Sequence, residues 1–422
     1  MHLSVPFDVL LAEGKRSQSE TRNMEHRHDR STTASEPDLS DVINILMAAR
    51  RPLLLTGPAM TASRMPDLLN RVQAATGIPV VAMESPRGLA DPSLGNISQI
   101  VEQSDCVLLL GKLPDFTLGF GSIDKMPAAT IVVVDACSDS LRLSVDVLTA
   151  SEEAGPDQRR RIIAVNASPG LVAESLCQAS VHSADQWREQ STQQLAALAQ
   201  IPDHSAVIAD NADGLSKGSS IRSASLLPQQ IGAQVQLALD RCERSVLVCD
   251  GGEFGQWAQA CVRSDKRVIN GPSGAIGGSL PQAIAAKIAQ PDSVVVAMLG
   301  DGTVGFHLAE LETSVREHAP VIVIVGNDSR WNAEYQIQLR DYGADRLHSC
   351  ELGTDVRYDI AATGLGFAGA MVQTEAELAE ALAEAVQRSR RDSLGTCINV
   401  VMTGCPAPVF KRDEYVSNSG QH

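Results

Sequence analysis

Asp301 and Asn327 are the residues of this 422-residue chain whose types and spacing invite chemistry. Asp301 sits between two glycines, in Gly300-Asp301-Gly302, straight after the apolar run Val294 to Leu299. That run is too short for a membrane span and β-branched enough for a buried parallel strand. Asn327 and Asp328 close a second such run, Val321 to Val325. Between them, Phe306 to Glu317 carries Leu308, Leu311 and Val315 at helical spacing, so the unit reads strand, turn, helix, strand. Such a unit brings both strand ends to the carboxyl edge of one sheet, where ligands of open α/β sheets bind. A carboxylate and a carboxamide beside a helix amino terminus offer oxygen ligands to a hard cation and N–H groups to a phosphate. The expected ligand is a magnesium diphosphate.

The spacing, Gly-Asp-Gly with 26 positions from Asp301 to Asn327 and then Asp328, resembles the signature of thiamine-diphosphate (ThDP) enzymes. The resemblance implies that Asp301, the Asn327 side chain and the backbone carbonyl of Ser329 hold Mg²⁺ against the diphosphate. Thr303 stands where the family usually has Ser and keeps the hydroxyl; Gly326-Asn327 replaces the usual Asn-Asn and keeps its second member. The same stretch holds a literal G-x-G-x-x-G, at Gly300, Gly302 and Gly305, with Asp328 in place of a ribose-binding acid. A dinucleotide-binding protein is therefore an alternative, although that motif alone is weak and has no need of an aspartate between its first two glycines.

The elements that must position these residues follow the same alternation. A capped helix from Ser40 leads to a strand at Pro52 to Leu55 and the turn Thr56-Gly57-Pro58. Further strands are expected at Ile78 to Met83, Cys106 to Leu110, Thr130 to Asp135 and Ile162 to Val165, with a helix at Met65 to Ala75. A later section opens with a helix at Pro228 to Arg241 and a strand at Ser245 to Cys249, which ends in Asp250-Gly251-Gly252. It continues through the glycine-rich segment 271–278, a helix at Ser279 to Ala289 and the central unit, and closes with a helix at Glu375 to Arg388 and a strand at Thr396 to Val401. Strands alternating with helices predict α/β architecture with two open parallel-sheet domains. The expected division is 1–13 as the remnant of a preceding domain, 14–40 as linker, 41–185 as a central Rossmann-like domain, 186–222 as a second linker that opens helical, 223–405 as the diphosphate-binding domain and 406–422 as tail. His26 and His28, in the first polar linker, read as solvated side chains rather than a metal site.

Composition narrows the partners. With 51 acidic against 35 basic residues the chain has no electrostatic footprint for nucleic acid or an anionic membrane. No apolar run approaches the ~20 residues of a membrane span. The nine cysteines lack any C-x-x-C spacing, which argues against a zinc or redox motif and for a reducing cytoplasm. Small molecules and other proteins are the expected partners.

Taken together, the sections resemble the acetolactate-synthase-like branch of ThDP enzymes, which includes 2-hydroxyacyl-CoA lyases. The resemblance implies that Gly252, Glu253 and Phe254 stand where relatives bind the diphosphate through Gln-His. Phe254 has no side-chain donor and Glu253 would repel a diphosphate, so backbone N–H groups would serve and Glu253 would point away. Within Gly271 to Gly278, Ile276 would be the wedge that bends the cofactor, the Gly274 carbonyl would accept from its amino group, and Ala275 would lie between them. Gly300, Gly302 and Thr303 would border the diphosphate, and Trp331 is a candidate pocket wall. His307 reads as structural.

The family also implies an activating glutamate from a pyrimidine-binding domain. The opening HLSVPFDVLLA looks like the last strand of one, and Glu84, in the central domain, should not substitute. The expectation is a large subunit of a split lyase or carboligase, in an α2β2 complex with a subunit that supplies the glutamate. Its substrate would be a 2-oxo acid, 2-hydroxyacyl-CoA or acyloin. An inert or regulatory module is the alternative.

Overall fold

The computed structural model describes residues 36–61, 64–65, 67–150, 160–179, 185–196, 225–271 and 273–408. The expected remnant 1–13, most of the first linker with His26 and His28, and the tail from 409 lie outside the described residues.

Two parallel sheets organise the rest. The first has the order β2-β1-β3-β4-β5, from β1 (Pro52–Thr56), β2 (Val80–Ala82), β3 (Cys106–Leu110), β4 (Thr130–Asp135) and β5 (Arg161–Asn166). Each of β1 and β3 is buried along its whole length because both faces are covered. Leu54, Leu108 and Val132 pack on one face, while Leu53, Leu55, Val107, Leu109 and Val133 pack on the other. The covering helices are α1 (Glu36–Ala48), α2 (Leu68–Thr76), α3 (Ile97–Gln103), α4 (Ser138–Ala150), α5 (Pro169–Gln178) and α6 (Asp185–Ala196). The helix α6 falls in the stretch expected to be a second linker. Trp187 explains the difference: it is 3% exposed in the core of the first sheet, and its Nε1–H donates to the Pro52 carbonyl at 2.9 Å. Residues 197–222 of that stretch lie outside the described residues.

The second sheet has the order β10-β11-β9-β8-β6-β7, from β6 (Ser245–Cys249), β7 (Lys266–Ile269), β8 (Val294–Gly300), β9 (Ile322–Asn327), β10 (Ala368–Val372) and β11 (Thr396–Val401). Its helices are α7 (Pro228–Leu239), α8 (Gly252–Cys261), α9 (Ser279–Ala289), α10 (Asp301–His307), α11 (Glu310–Arg316), α12 (Asn332–Tyr342), α13 (Tyr358–Gly364) and α14 (Glu375–Arg391). The single helix expected over Phe306 to Glu317 is two: α10 begins at Asp301 itself and α11 follows after a short break. Leu311 reaches the core, while Val315 is 40% exposed.

The strand order of each sheet reverses after its second strand, and that reversal opens a crevice at the carboxyl edge. In the first, β1 connects to β2 on one side and the chain returns to β3 on the other, placing the switch between Thr56-Gly57 and Leu110-Gly111. In the second, β7 lies on one side of β6 and β8 on the other, placing it between Cys249-Asp250 and Gly300-Asp301. Ligands of such sheets bind at the switch point. The two sheets meet across a seam where Arg267 Nη2 lies 3.6 Å from Glu84 Oε2.

Candidate functional site

The register of β8 against β9 pairs Gly300 with Gly326, so Asp301 and Asn327 leave neighbouring strands at the same level. Asp301 is buried, and its carboxylate accepts from the Gly302 N–H at 2.9 Å. Burial pushes its pKa up to about 7, against the pull of the Gly302, Ser329 and Arg330 N–H groups. Asp328 is pushed well above the ordinary carboxylate range by burial and by the charge of Asp301. Arg330 offsets part of that charge at Asp328, and burial of the two acids still favours a further countercharge. A divalent cation supplies one, and the neighbouring groups are hard oxygen donors suited to Mg²⁺, which typically takes one or two carboxylates and fills its sphere from phosphate and water. Among the described residues no three His, Cys, Asp or Glu side chains converge as a metal site, so the soft-metal alternatives have no ligand set there. The residues present fit Mg²⁺ shared with a phosphate.

Asn327 is fixed from both ends. Its Nδ2 donates to Asn399 Oδ1 at 3.1 Å, and its Oδ1 accepts from the Ser329 N–H at 3.2 Å. Asn399 is fully buried and donates in turn to the Val356 carbonyl at 3.3 Å. Ser329 follows at a turn. Its φ of 59° turns the chain, and its carbonyl accepts from the Leu352 N–H at 2.8 Å. The physical reason is a short antiparallel bridge, Arg330 against Glu351, which also lets the Trp331 N–H donate to the Cys350 carbonyl. That bond uses one of the carbonyl's two lone pairs, so the Ser329 carbonyl stands with the oxygens of Asp301, Asn327 and Asp328 at the strand ends.

The phosphate side is made by helix starts. Gly251 precedes α8 and Gly300 precedes α10, so neither N-cap residue has a side chain to cap with. The Gly302 N–H of α10 is taken by the Asp301 carboxylate, whereas no side chain takes the first N–H groups of α8, which suit an anion. Gly252 has a φ of 74° with open space where a Cβ would stand, so the backbone itself forms this surface. Glu253 turns aside as expected: Gln256 Nε2 lies 3.4 Å from its Oε2 and the Ala407 N–H donates to its carboxylate. Burial raises its pKa, with Arg87 opposing. The Phe254 ring is buried under β9, beside Gly326 and Met402, so only its backbone can contribute. Thr303 is buried, with its hydroxyl donating to the Gly300 carbonyl at 2.9 Å.

The glycine-rich loop is held by a residue that the sequence motifs do not single out. Asp250, fully buried at the end of β6, accepts from the N–H groups of Gly251 (2.7 Å), Gly277 (2.9 Å) and Ser279 (3.1 Å), and from the Ser279 hydroxyl. The opposite side of the loop is held by His307, whose Nδ1 lies 2.8 Å from the Gly277 carbonyl. His307 is thus structural, but what it structures is the loop. Just before these anchors Ile276 leans on Gly251, while Gly274, with a φ of 66°, and Ala275 are exposed. Trp331 covers Gly302, and its ring meets Phe306 edge-on at 6.0 Å. Asp250 and Asn399 carry one legible signal, a polar residue in or just after an apolar strand of the same sheet; their partners lie 27 and 72 positions away.

Comparisons with known proteins agree with this geometry. The family described as thiamine pyrophosphate enzyme, C-terminal TPP binding domain, matches residues 250–394, and its central domain matches residues 39–151. A 2-hydroxyacyl-CoA lyase 2 of Mus musculus is 30% identical over 356 residues, covering 81% of this chain and 51% of the relative. The human protein of that name is 27% identical over 384 residues, covering 87% of this chain and 56% of its own length. An acetolactate synthase large subunit of Mycobacterium tuberculosis is 27% identical over 380 residues, covering 86% and 61%. The chain spans about half the length of the first two of these relatives. The C-terminal match includes Gly300, Gly302 and Gly305, which displaces the dinucleotide reading.

Proposed function

Because the chain belongs to the thiamine pyrophosphate enzyme family and carries its central and C-terminal domains, we propose that it is the diphosphate-binding part of a ThDP- and Mg²⁺-dependent lyase or carboligase. The observation that carries this reading is the juxtaposition of Asp301, Asn327 and two helix starts at the switch point of the second sheet. When bound, the cofactor supplies the carbanion-stabilising chemistry for making or breaking a carbon–carbon bond next to a carbonyl.

The chain's own residues do the positioning. Asp301, the Asn327 carboxamide oxygen and the Ser329 carbonyl would hold Mg²⁺, with Asp328 beside them. The amino ends of α8 and α10 receive the diphosphate through N–H groups and helix dipoles. Asp250 and His307 fix the loop that presents Ile276 as the wedge and the Gly274 carbonyl as acceptor for the cofactor's amino group. Trp331 walls the cavity beside the metal loop. The substrate we assign is a 2-oxo acid, 2-hydroxyacyl-CoA or acyloin, in keeping with the names of the relatives. The activating carboxylate we assign to a pyrimidine-binding domain on a separate subunit in an α2β2 complex, a reading that the pairing of Glu84 with Arg267 at the seam supports. All nine cysteines are free thiols, which supports a reducing, cytoplasmic setting. Among the described residues no helix is long and apolar enough to cross a membrane.

The test is a pull-down from native extract with this chain as bait, then thermal unfolding with and without ThDP and Mg²⁺. A co-purifying protein of about 150–200 residues, roughly one domain, with cofactor-dependent stabilisation of the complex alone, is the expected outcome. Full turnover by the purified chain alone would overturn the subunit assignment. Absence of any ThDP response, with or without a partner, would overturn the cofactor assignment and leave an inert module.

A further inference from the structure

We propose that the amino edge of the second sheet holds a binding site for a phosphate-bearing small molecule, separate from the site at its carboxyl edge. A cavity of about 790 Å³ lies among the connections that enter β6, β8, β9 and β11. The volume is within the ~300–1,000 Å³ of small-molecule pockets. The seven-residue β8 separates it from Asp301 by roughly 23 Å of strand, so one ligand of ordinary size does not serve both.

The charge of the lining is the second observation. Arg241, Arg244, Lys287 and Arg390 face the cavity, with Asp292 and Glu317 among its acids. Asp292 is paired with Arg244 at 3.4 Å, and Glu317 with Arg316 at 2.7 Å. Three cations remain, on three separate segments, against the single carboxylate of Glu243. They do so in a chain whose net charge is −16.

Cations near helix carboxyl ends ordinarily answer the helix dipole and the last carbonyls. Lys287 fits that account in part. It is 8% exposed, and its Nζ donates to the Pro291 and Ser293 carbonyls at 2.9 and 2.8 Å. Burial lowers its pKa, and Arg390 pushes the same way while Asp292 opposes. Arg241 and Arg390 do not fit it, because among the described residues neither guanidinium has a carbonyl or carboxylate partner. Arg390 instead stands close enough to Lys287 to repel it, and an anion between them would relieve that repulsion. Two bordering residues, His318 and Ser393, hold left-handed backbones with φ of 52° and 50°. Such conformations persist where the surroundings impose them. Several donors converging from different segments suit a ligand with multiple charged oxygens, and arginine forks match phosphate oxygens.

The experiment titrates inorganic tripolyphosphate, and in parallel ATP, into the full-length chain in EDTA at low salt, read by calorimetry. EDTA removes the divalent cation that the carboxyl-edge site would use. Saturable binding that weakens at least tenfold in R241Q/R390Q, weakens with added salt and is unchanged in D301N is the expected result. Tighter binding of ATP than of tripolyphosphate would assign a nucleotide, and equal binding would assign the phosphoryl chain alone. No saturable binding, equal binding to R241Q/R390Q, or loss in D301N would each overturn the proposal. Both arginines are exposed, so the unfolding midpoint of R241Q/R390Q should match the wild type and separate lost binding from lost structure.

Discussion

The two switch points of this molecule are built alike and furnished differently. Between β1 and β3 the strand ends carry Gly57 and Gly111, so close that a Cβ on Gly57 would overlap the Gly111 carbonyl oxygen. Pro169, at the start of α5, packs on Gly111 from above. The polar groups nearby are satisfied locally: Thr56 Oγ1 donates to the Met60 carbonyl, and Asp135 accepts from the Cys137 N–H. Between β6 and β8 the strand ends carry Asp250 and Asp301, both buried. Asp250 is satisfied by hydrogen-bond donors and organises a loop; Asp301 faces another acid and is suited to a cation. Topology makes the crevice in both sheets. Only the buried carboxylate with a second acid beside it turns one of them into a site for a charged ligand.

The sharpest way to break this contrast is Asp301→Ala in the assembled enzyme. The expected loss in kcat/KM is on the order of 100-fold or more, since even outer-shell partners of a metal are worth roughly 10–100-fold. The Mg²⁺-dependent rise in unfolding temperature should disappear as well, and a variant that retains both removes Asp301 from the metal site. The wild-type residue should also leave a pH signature in Mg²⁺-free protein. Its pKa is raised in the folded state to about 7 from an ordinary 3.8, so folding takes up protons between those values. The stability tied to its protonation is fully present below about pH 4 and lost as pH rises through about 7. Asp328, raised as well, acts in the same direction. Urea unfolding across that range should show the decline without metal, a smaller one with Mg²⁺, and a flatter curve for D301N.

Next in size is Asp250→Ala, which strands the Gly277 and Ser279 N–H groups. A cost of about 3 kcal/mol is expected from lost hydrogen bonds to a charged acceptor, together with weaker ThDP binding by the complex. Unchanged cofactor affinity would make Asp250 a purely local brace. At the other switch point, Gly57→Ala drives a methyl into the Gly111 carbonyl and should cost about 1–3 kcal/mol in denaturant unfolding, while the Mg²⁺ response of the second domain persists. Smallest is Asp135→Asn in the first domain, expected to shift stability by no more than about 0.5 kcal/mol and to leave turnover alone. A large effect of Asp135→Asn on activity would mean that the first crevice also takes part in function.

Much of this architecture is legible in the amino-acid sequence. Runs such as Val294 to Leu299 and Cys106 to Leu110 declare buried parallel strands because both faces are apolar, and each is found at or within a residue of its expected bounds. The edge strands β7 and β10 are not legible, since each is short and partly exposed and so lacks an uninterrupted apolar run. Helices α12 and α13 escape for a similar reason: their faces are mixed, and α12 buries little beyond Asn332 and Tyr335. The stretch around Trp187 is legible as helical but not as part of the first domain, because a single aromatic, bonded far along the chain to Pro52, does the holding.

What the sequence determined by itself is the type and spacing of Asp301 and Asn327, because a strand-turn-helix-strand unit carries its geometry locally. The resemblance to ThDP enzymes rests on the same local pattern. Tertiary structure alone decided which neighbours complete the site. The pairing of β8 with β9, the grip of Asp250 on Gly277, the support of Asn327 by Asn399 and the bridge that engages the Ser329 carbonyl all join residues distant in the chain. Hydrogen bonds at that separation follow from how sheets close and loops return, and no residue type or spacing encodes them in advance.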